Sequence, residues 1–126
     1  MPIAAIRYDI KAGFEQEIAD IFTDYRRPSS PSVRDEGGAE VARIIGTAVF
    51  LKEDTMVRFI EFEGDIASVA RYMAGQPGVR EFERKIKPYL SRPRDTDTPE
   101  GFVRTFTASV MRCVSHLGQT RLSTAG

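Results

Sequence analysis

Apolar and polar positions change period several times along the chain. From Ile3 to Ile10, Ile6, Tyr8 and Ile10 alternate with Arg7 and Asp9, which predicts a strand. After the Lys11-Ala12-Gly13 turn the period lengthens. Phe14, Ile18, Ile21, Phe22 and Tyr25 recur at spacings of three and four, with acids between them, and predict an amphipathic helix over 14–25. The stretch from Arg26 to Gly38 (RRPSSPSVRDEGG) carries two prolines, three serines and a glycine pair, and reads as a loop. Val41–Leu51 and Thr55–Glu63 are β-rich runs split by Lys52-Glu53-Asp54, so they predict a hairpin, with Gly46 marking a bulge or a close backbone approach. Asp65 is a plausible N-cap for a helix whose stripe is Ile66, Val69, Ala70 and Met73. Val79, Phe82, Ile86 and Tyr89 continue helically after Gln76-Pro77-Gly78, as far as Pro88. Ser91–Gly101 reads as a loop, Phe102–Val114 as an aromatic and β-branched final strand, and the residues from about 115 to 126 as a frayed tail.

Strand, helix, two strands, helix, strand is the ferredoxin-like α+β plan: a four-stranded antiparallel sheet with helices on one face. With 126 residues, one domain over 1–126 is expected.

Composition narrows the classes. Hydrophobic residues at 41% and charged residues at 29% are the balance of a globular chain. Eighteen basic residues offset eighteen acidic ones, which disfavours nucleic acid as a partner. One cysteine excludes an internal disulfide framework, and one histidine beside it cannot complete a zinc site. No metal site is expected: Asp95, Asp97 and Glu100 fit a capped polar turn better. No run is apolar enough for a membrane span or a secretory signal, so no membrane partner and a cytoplasmic setting are expected.

The sheet's uncovered face is the natural place for function. Each expected strand carries an arginine: Arg7, Arg43, Arg58 and Arg104. Arg58 stands between Met56 and Ile60 on one face of its strand. A guanidinium stays charged, so among apolar side chains it requires an acceptor, either Glu61, Glu63 or an anionic ligand oxygen. The expectation is an apolar chamber, closed by a second copy of the chain, with Arg58 inside it. Cross-strand ion pairing or snorkelling to solvent is the plainer reading of each arginine.

The stretches IGTAVFLKEDTMVRFIEFEGD (45–65), QPGVREFERKIKPYL (76–90), RPRDTDTPEGF (92–102) and MRCVSH (111–116), with DIFTDYRRP at 20–28, resemble the SchA/CurD-like proteins of aromatic polyketide and spore-pigment biosynthesis. More distantly the layout is similar to tetracenomycin-type polyketide cyclases. Both resemblances imply a dimeric α+β barrel, hence a homodimer, and a polyketide cyclase or aromatase acting without a cofactor. The substrate would be a poly-β-ketone or partly cyclised intermediate, either free or carried on an acyl carrier protein. A cofactor-independent monooxygenase that makes quinones, and a non-catalytic scaffold, are the alternatives. Those cyclases often carry a histidine where this chain has Arg58, so a histidine base does not carry over.

In this frame Arg58, aided by Arg43, would stabilise an enolate, while Tyr25 would relay protons and Glu61 would act as base. Arg7, Tyr8, Thr47, Met56, Ile60, Arg104 and Phe106 would line the substrate. Arg26 and Arg27 would meet a carrier phosphate or a carboxylate at the mouth.

Overall fold

A computed structural model describes residues 2–24, 31–34 and 36–117. The strands are β1 (Ile3–Asp9), β2 (Ser32–Arg34), β3 (Glu40–Lys52) and β4 (Thr55–Gly64). The helices are α1 (Glu15–Ile21), α2 (Ile66–Ala74), α3 (Pro77–Ile86) and α4 (Pro99–Ser109), with single 3-10 turns at Phe22–Asp24 and Lys87–Tyr89. The sheet is antiparallel in the order β1-β4-β3-β2, so the four-stranded α+β architecture stands.

Two elements differ from expectation. The segment from Phe102 is helix α4, not a strand. Thr98 caps it, its hydroxyl accepting from the Gly101 N–H at 3.0 Å, and Pro99 fills the first turn where no N–H is needed. Phe102 and Phe106, one turn apart, are both buried, which is helical rather than strand spacing. Past the helix the chain pairs with the sheet edge: Val110 bridges Ile6, and the Met111 N–H donates to Ala5 O at 2.7 Å. The fourth strand is instead β2, a three-residue piece inside the expected 26–38 loop, paired to β3.

The other elements form for the reasons the pattern gives. The β3–β4 hairpin turns at Glu53 and Asp54, with Glu53 at φ 54° and its N–H donating to Glu15 Oε1 of α1 at 2.9 Å. The register shifts between Ile44 and Gly46, which places the bulge there. Gly64 ends β4 at φ 91°, where a Cβ would lie 2.4 Å from Val41 O; no other residue fits that approach. Asp65 then caps α2, accepting from the Ala67 N–H at 3.2 Å and from Ser68 Oγ at 3.1 Å. Those bonds, the backbone one first, hold its carboxyl below the usual range.

The core lies between the sheet and the helices. Ala4, Ile6, Tyr8, Met56, Ile60 and Phe62 from the strands meet Ile18, Val69, Met73, Val79, Phe82 and Ile86 from the helices. Among the described residues no helix covers the opposite face of the sheet. There Phe50 is 62% exposed and Phe59 38%, and their rings meet edge to face at 5.6 Å. Among the described residues no helix is long and apolar enough to cross a membrane.

Candidate functional site

Strand register decides which face each candidate occupies. Arg58 pairs with Ile6 on β1 and Val49 on β3, and its own-face neighbours Met56 and Ile60 are fully buried. Arg58 therefore points into the helix-covered layer, where its residue is 4% exposed. The uncovered face holds Val57, Phe59, Glu61 and Glu63 instead, because side chains alternate along β4. This corrects the expected chamber in which Arg58 sat on the open face, and it removes Glu61 and Glu63 as partners for Arg58.

Around Arg58 the helix side supplies what the strands do not. Its Cζ lies 4.8 Å from the centre of the Phe82 ring on α3. The next residue, Glu83, is 2% exposed and accepts a hydrogen bond from the Tyr8 hydroxyl at 3.2 Å. The other Glu83 oxygen, Oε2, lies 3.7 Å from Arg94 Nε, with side chains 3% and 8% exposed. Arg94 comes from the loop after α3, covers the Tyr8 ring at 4.0 Å, and donates from one terminal guanidinium nitrogen to Ser109 Oγ at 3.1 Å. Strand, helix and loop thus place two guanidiniums, one carboxylate and one phenol in a dry layer.

The electrostatics follow from that dryness. Burial pushes the Tyr8 hydroxyl up to about 12, and Glu83 adds to the rise while Arg58 and Arg94 oppose it. The phenol is therefore a proton donor near neutrality.

The other expected site residues are dispersed. Arg43 is exposed and held by Glu40 at 2.9 Å. Arg7 is exposed on the open face and pairs with Asp9 at 3.2 Å. Glu61 is half-buried on the open face, opposite Ile3. Thr47 is exposed on β3. Arg104 lies on α4 rather than a strand, exposed and paired with Asp95 at 3.1 Å. Phe106 is buried from α4 against Phe102, their ring centres 6.0 Å apart. Tyr25, Arg26 and Arg27 lie outside the described residues. Of the expected residues, the structure brings together Arg58, Tyr8, Met56 and Ile60. Glu83 and Arg94 were missed. Glu83 left a signal, since it falls on the Val79, Phe82, Ile86 stripe where an apolar residue is expected; Arg94, in a loop, left none.

Three relatives from Streptomyces match most of this chain. A 42.8 kDa protein in the whiE locus of Streptomyces coelicolor is 33% identical over 89% of the chain and 27% of its own length. Polyketide synthase CurD of Streptomyces cyaneus is 30% identical over 97% of the chain and 32% of its own length. Protein SchA of Streptomyces halstedii is 31% identical over 90% and 28%. The chain thus spans less than a third of each of these relatives. Among solved structures, L-rhamnose mutarotase from Formosa agariphila aligns at 12% identity over 77% of this chain and 87% of that one, with a TM-score of 0.41. The model of the SchA/CurD like domain matches residues 1–119, and the chain belongs to that family.

Proposed function

We propose that this domain acts on an aromatic polyketide intermediate as a cyclase or aromatase, closing and dehydrating a poly-β-ketone chain. The observation that carries the reading is the buried quartet of Tyr8, Arg58, Glu83 and Arg94, which gathers two guanidiniums, a carboxyl and a phenol in one dry layer. The name of one relative, polyketide synthase, supports the substrate class.

Ring closure removes a proton from a carbon between two carbonyls and leaves an enolate. Arg58 stabilises the enolate oxygen, and the Glu83 carboxylate takes the proton. The enolate carbon attacks a distant carbonyl carbon, a C–C bond forms, and the new alkoxide takes a proton from Tyr8. Loss of that hydroxyl with a neighbouring C–H proton releases water and forms the ring double bond. Carbon oxidation states balance without any oxidant. Substrate enters past the loop that supplies Arg94.

The near-complete burial of all four side chains favours a second reading, a non-catalytic scaffold whose quartet only fixes the fold. The open sheet face, with Phe50, Phe59 and Ile45 exposed, supports a homodimer in either case.

The test is reconstitution with a polyketide synthase, scored by product pattern in air and without oxygen, using the parent domain and Arg58→Met. A cyclase changes the pattern without oxygen and loses that effect in a folded Arg58→Met. Retention of the effect in Arg58→Met means a scaffold, and an oxygen requirement means a monooxygenase.

A further inference from the structure

The outer side of α3 carries a second charged feature. Arg80, Arg84 and Lys87 recur at spacings of four and three, so they form one stripe along the helix and the turn after it. With Glu81, and with Thr96 and Asp97 from the facing loop, they line a cleft of about 280 Å³. The inner side of the same helix carries Val79, Phe82, Glu83 and Ile86, all buried. Cleft and quartet share no residue.

Both acids in the cleft wall are already engaged. Asp97 binds Lys87, and Glu81 is paired with Lys85 at 3.3 Å. Among the described residues, neither Arg80 nor Arg84 pairs with a carboxylate. Two like charges one helical turn apart disfavour the helix slightly, and an anion between them reverses that sign. A guanidinium presents its donors in a planar fork that matches phosphate oxygens, and two forks on one stripe can grip two edges of the same group. Thr96, half-buried at the wall, adds a hydroxyl donor. The volume lies just below the range of ordinary ligand sites, roughly 300 to 1,000 Å³. It suits a phosphate and a short ester, not a fused-ring polyketide.

We propose that this cleft binds a phosphate ester, with Arg80 and Arg84 holding the phosphate oxygens and Thr96 donating a further hydrogen bond. The ester is either a diester, as on a carrier-tethered substrate, or a free phosphomonoester.

The test is a titration of the full chain, followed by the side-chain N–H resonances of the arginines in NMR. The probes are inorganic phosphate and dimethyl phosphate, with sodium chloride at matched ionic strength as control. Saturable shifts at Arg80 and Arg84 with a phosphate probe, absent with chloride, are expected. The double variant Arg80→Gln/Arg84→Gln should bind about tenfold or more weakly, the loss of two charge-assisted contacts, with an unchanged thermal melt. Asp97→Asn, which frees Lys87, should tighten binding. Preference for dimethyl phosphate assigns the site to a diester, and preference for inorganic phosphate assigns it to a monoester. Shifts that chloride reproduces, or parental affinity in the folded double variant, overturn the proposal.

Discussion

Arg94→Met tests whether the quartet is an integral part of the dry core. The substitution keeps much of the side-chain volume and deletes the guanidinium. Three contacts go: the 3.7 Å ion pair with Glu83, the 3.1 Å hydrogen bond to Ser109, and the cover over the Tyr8 ring at 4.0 Å. Removing one partner of a buried pair costs about 3–5 kcal/mol, because the survivor stays charged and unmatched. Here the lower end applies. The pair is longer than a hydrogen bond, and Glu83 keeps the Tyr8 hydroxyl while Arg58 still acts on Tyr8 across the layer. About 3 kcal/mol is a large part of the roughly 5–15 kcal/mol that holds a domain folded, so the variant should fold and sit near its margin. Glu83→Leu should also destabilise, by about 1–3 kcal/mol or more, since the Tyr8 hydroxyl loses its acceptor and Arg94 its ion-pair partner. The double variant should recover most of the loss, because apolar side chains can replace a buried pair at little net cost. Urea unfolding followed by circular dichroism gives all four free energies. The reasoning fails if Arg94→Met costs under about 1 kcal/mol, the range of a surface pair, or if the two single losses simply add.

Alkaline unfolding probes the same layer through Tyr8. Its folded pKa of about 12 lies above the ordinary tyrosine value of 10.0, so the protonated phenol favours the folded state. That contribution is intact below pH 10 and is lost as pH rises to about 12, a change of roughly 2–3 kcal/mol. Tyr8→Phe should remove this part of the slope in urea unfolding, and equal slopes for parent and variant would refute the assignment. On the uncovered face, Phe50→Glu places a charge beside Phe59 where a second copy would sit, so sedimentation should shift from dimer to monomer with circular dichroism unchanged. A monomeric parent would remove the basis for that expectation.

The legible parts of the fold were those with one clear period. In β1 and β4, and in α1, α2 and α3, the apolar repeat matches the burial observed, whereas in β3 the bulge between Ile44 and Gly46 breaks the alternation. The segment 102–110 was ambiguous because β-branched Val103, Thr105 and Thr107 favour strands, while Phe102 and Phe106 fit one helical turn. The deciding signals were local, Thr98 and Pro99 at the start, and tertiary. The Thr105 hydroxyl donates to Asp95 O at 2.8 Å and that of Thr107 to Val103 O at 2.8 Å, so both β-branched side chains are accommodated on the helix. A three-residue strand such as β2 is too short to show any period. For the site, alternation grouped Arg58 with Met56 and Ile60, but it cannot tell which face the helices cover. That choice is made by helix placement, and it moved Arg58 from an open chamber to a packed layer.

The change of face alters what Arg58 can do. On an open sheet water would screen the guanidinium, and its attraction for a developing anion would be small. In the covered layer the effective dielectric is lower. A unit charge about 5 Å away at an effective dielectric of about 20 is worth roughly 3 kcal/mol, near a hundredfold in rate. That amount is modest beside typical enzymatic accelerations, so electrostatics alone does not make a cyclase of this quartet. The larger share must come from holding a flexible chain in the one fold that brings the reacting carbons together. The layer is filled by side chains in the structure, so the proposed cyclase reading requires a substrate to displace some of them, and Arg94 is the member held by a loop rather than by a strand or helix. The Arg94 bond to Ser109 ties that loop to the last residue of α4, and with it the cover over the Tyr8 ring.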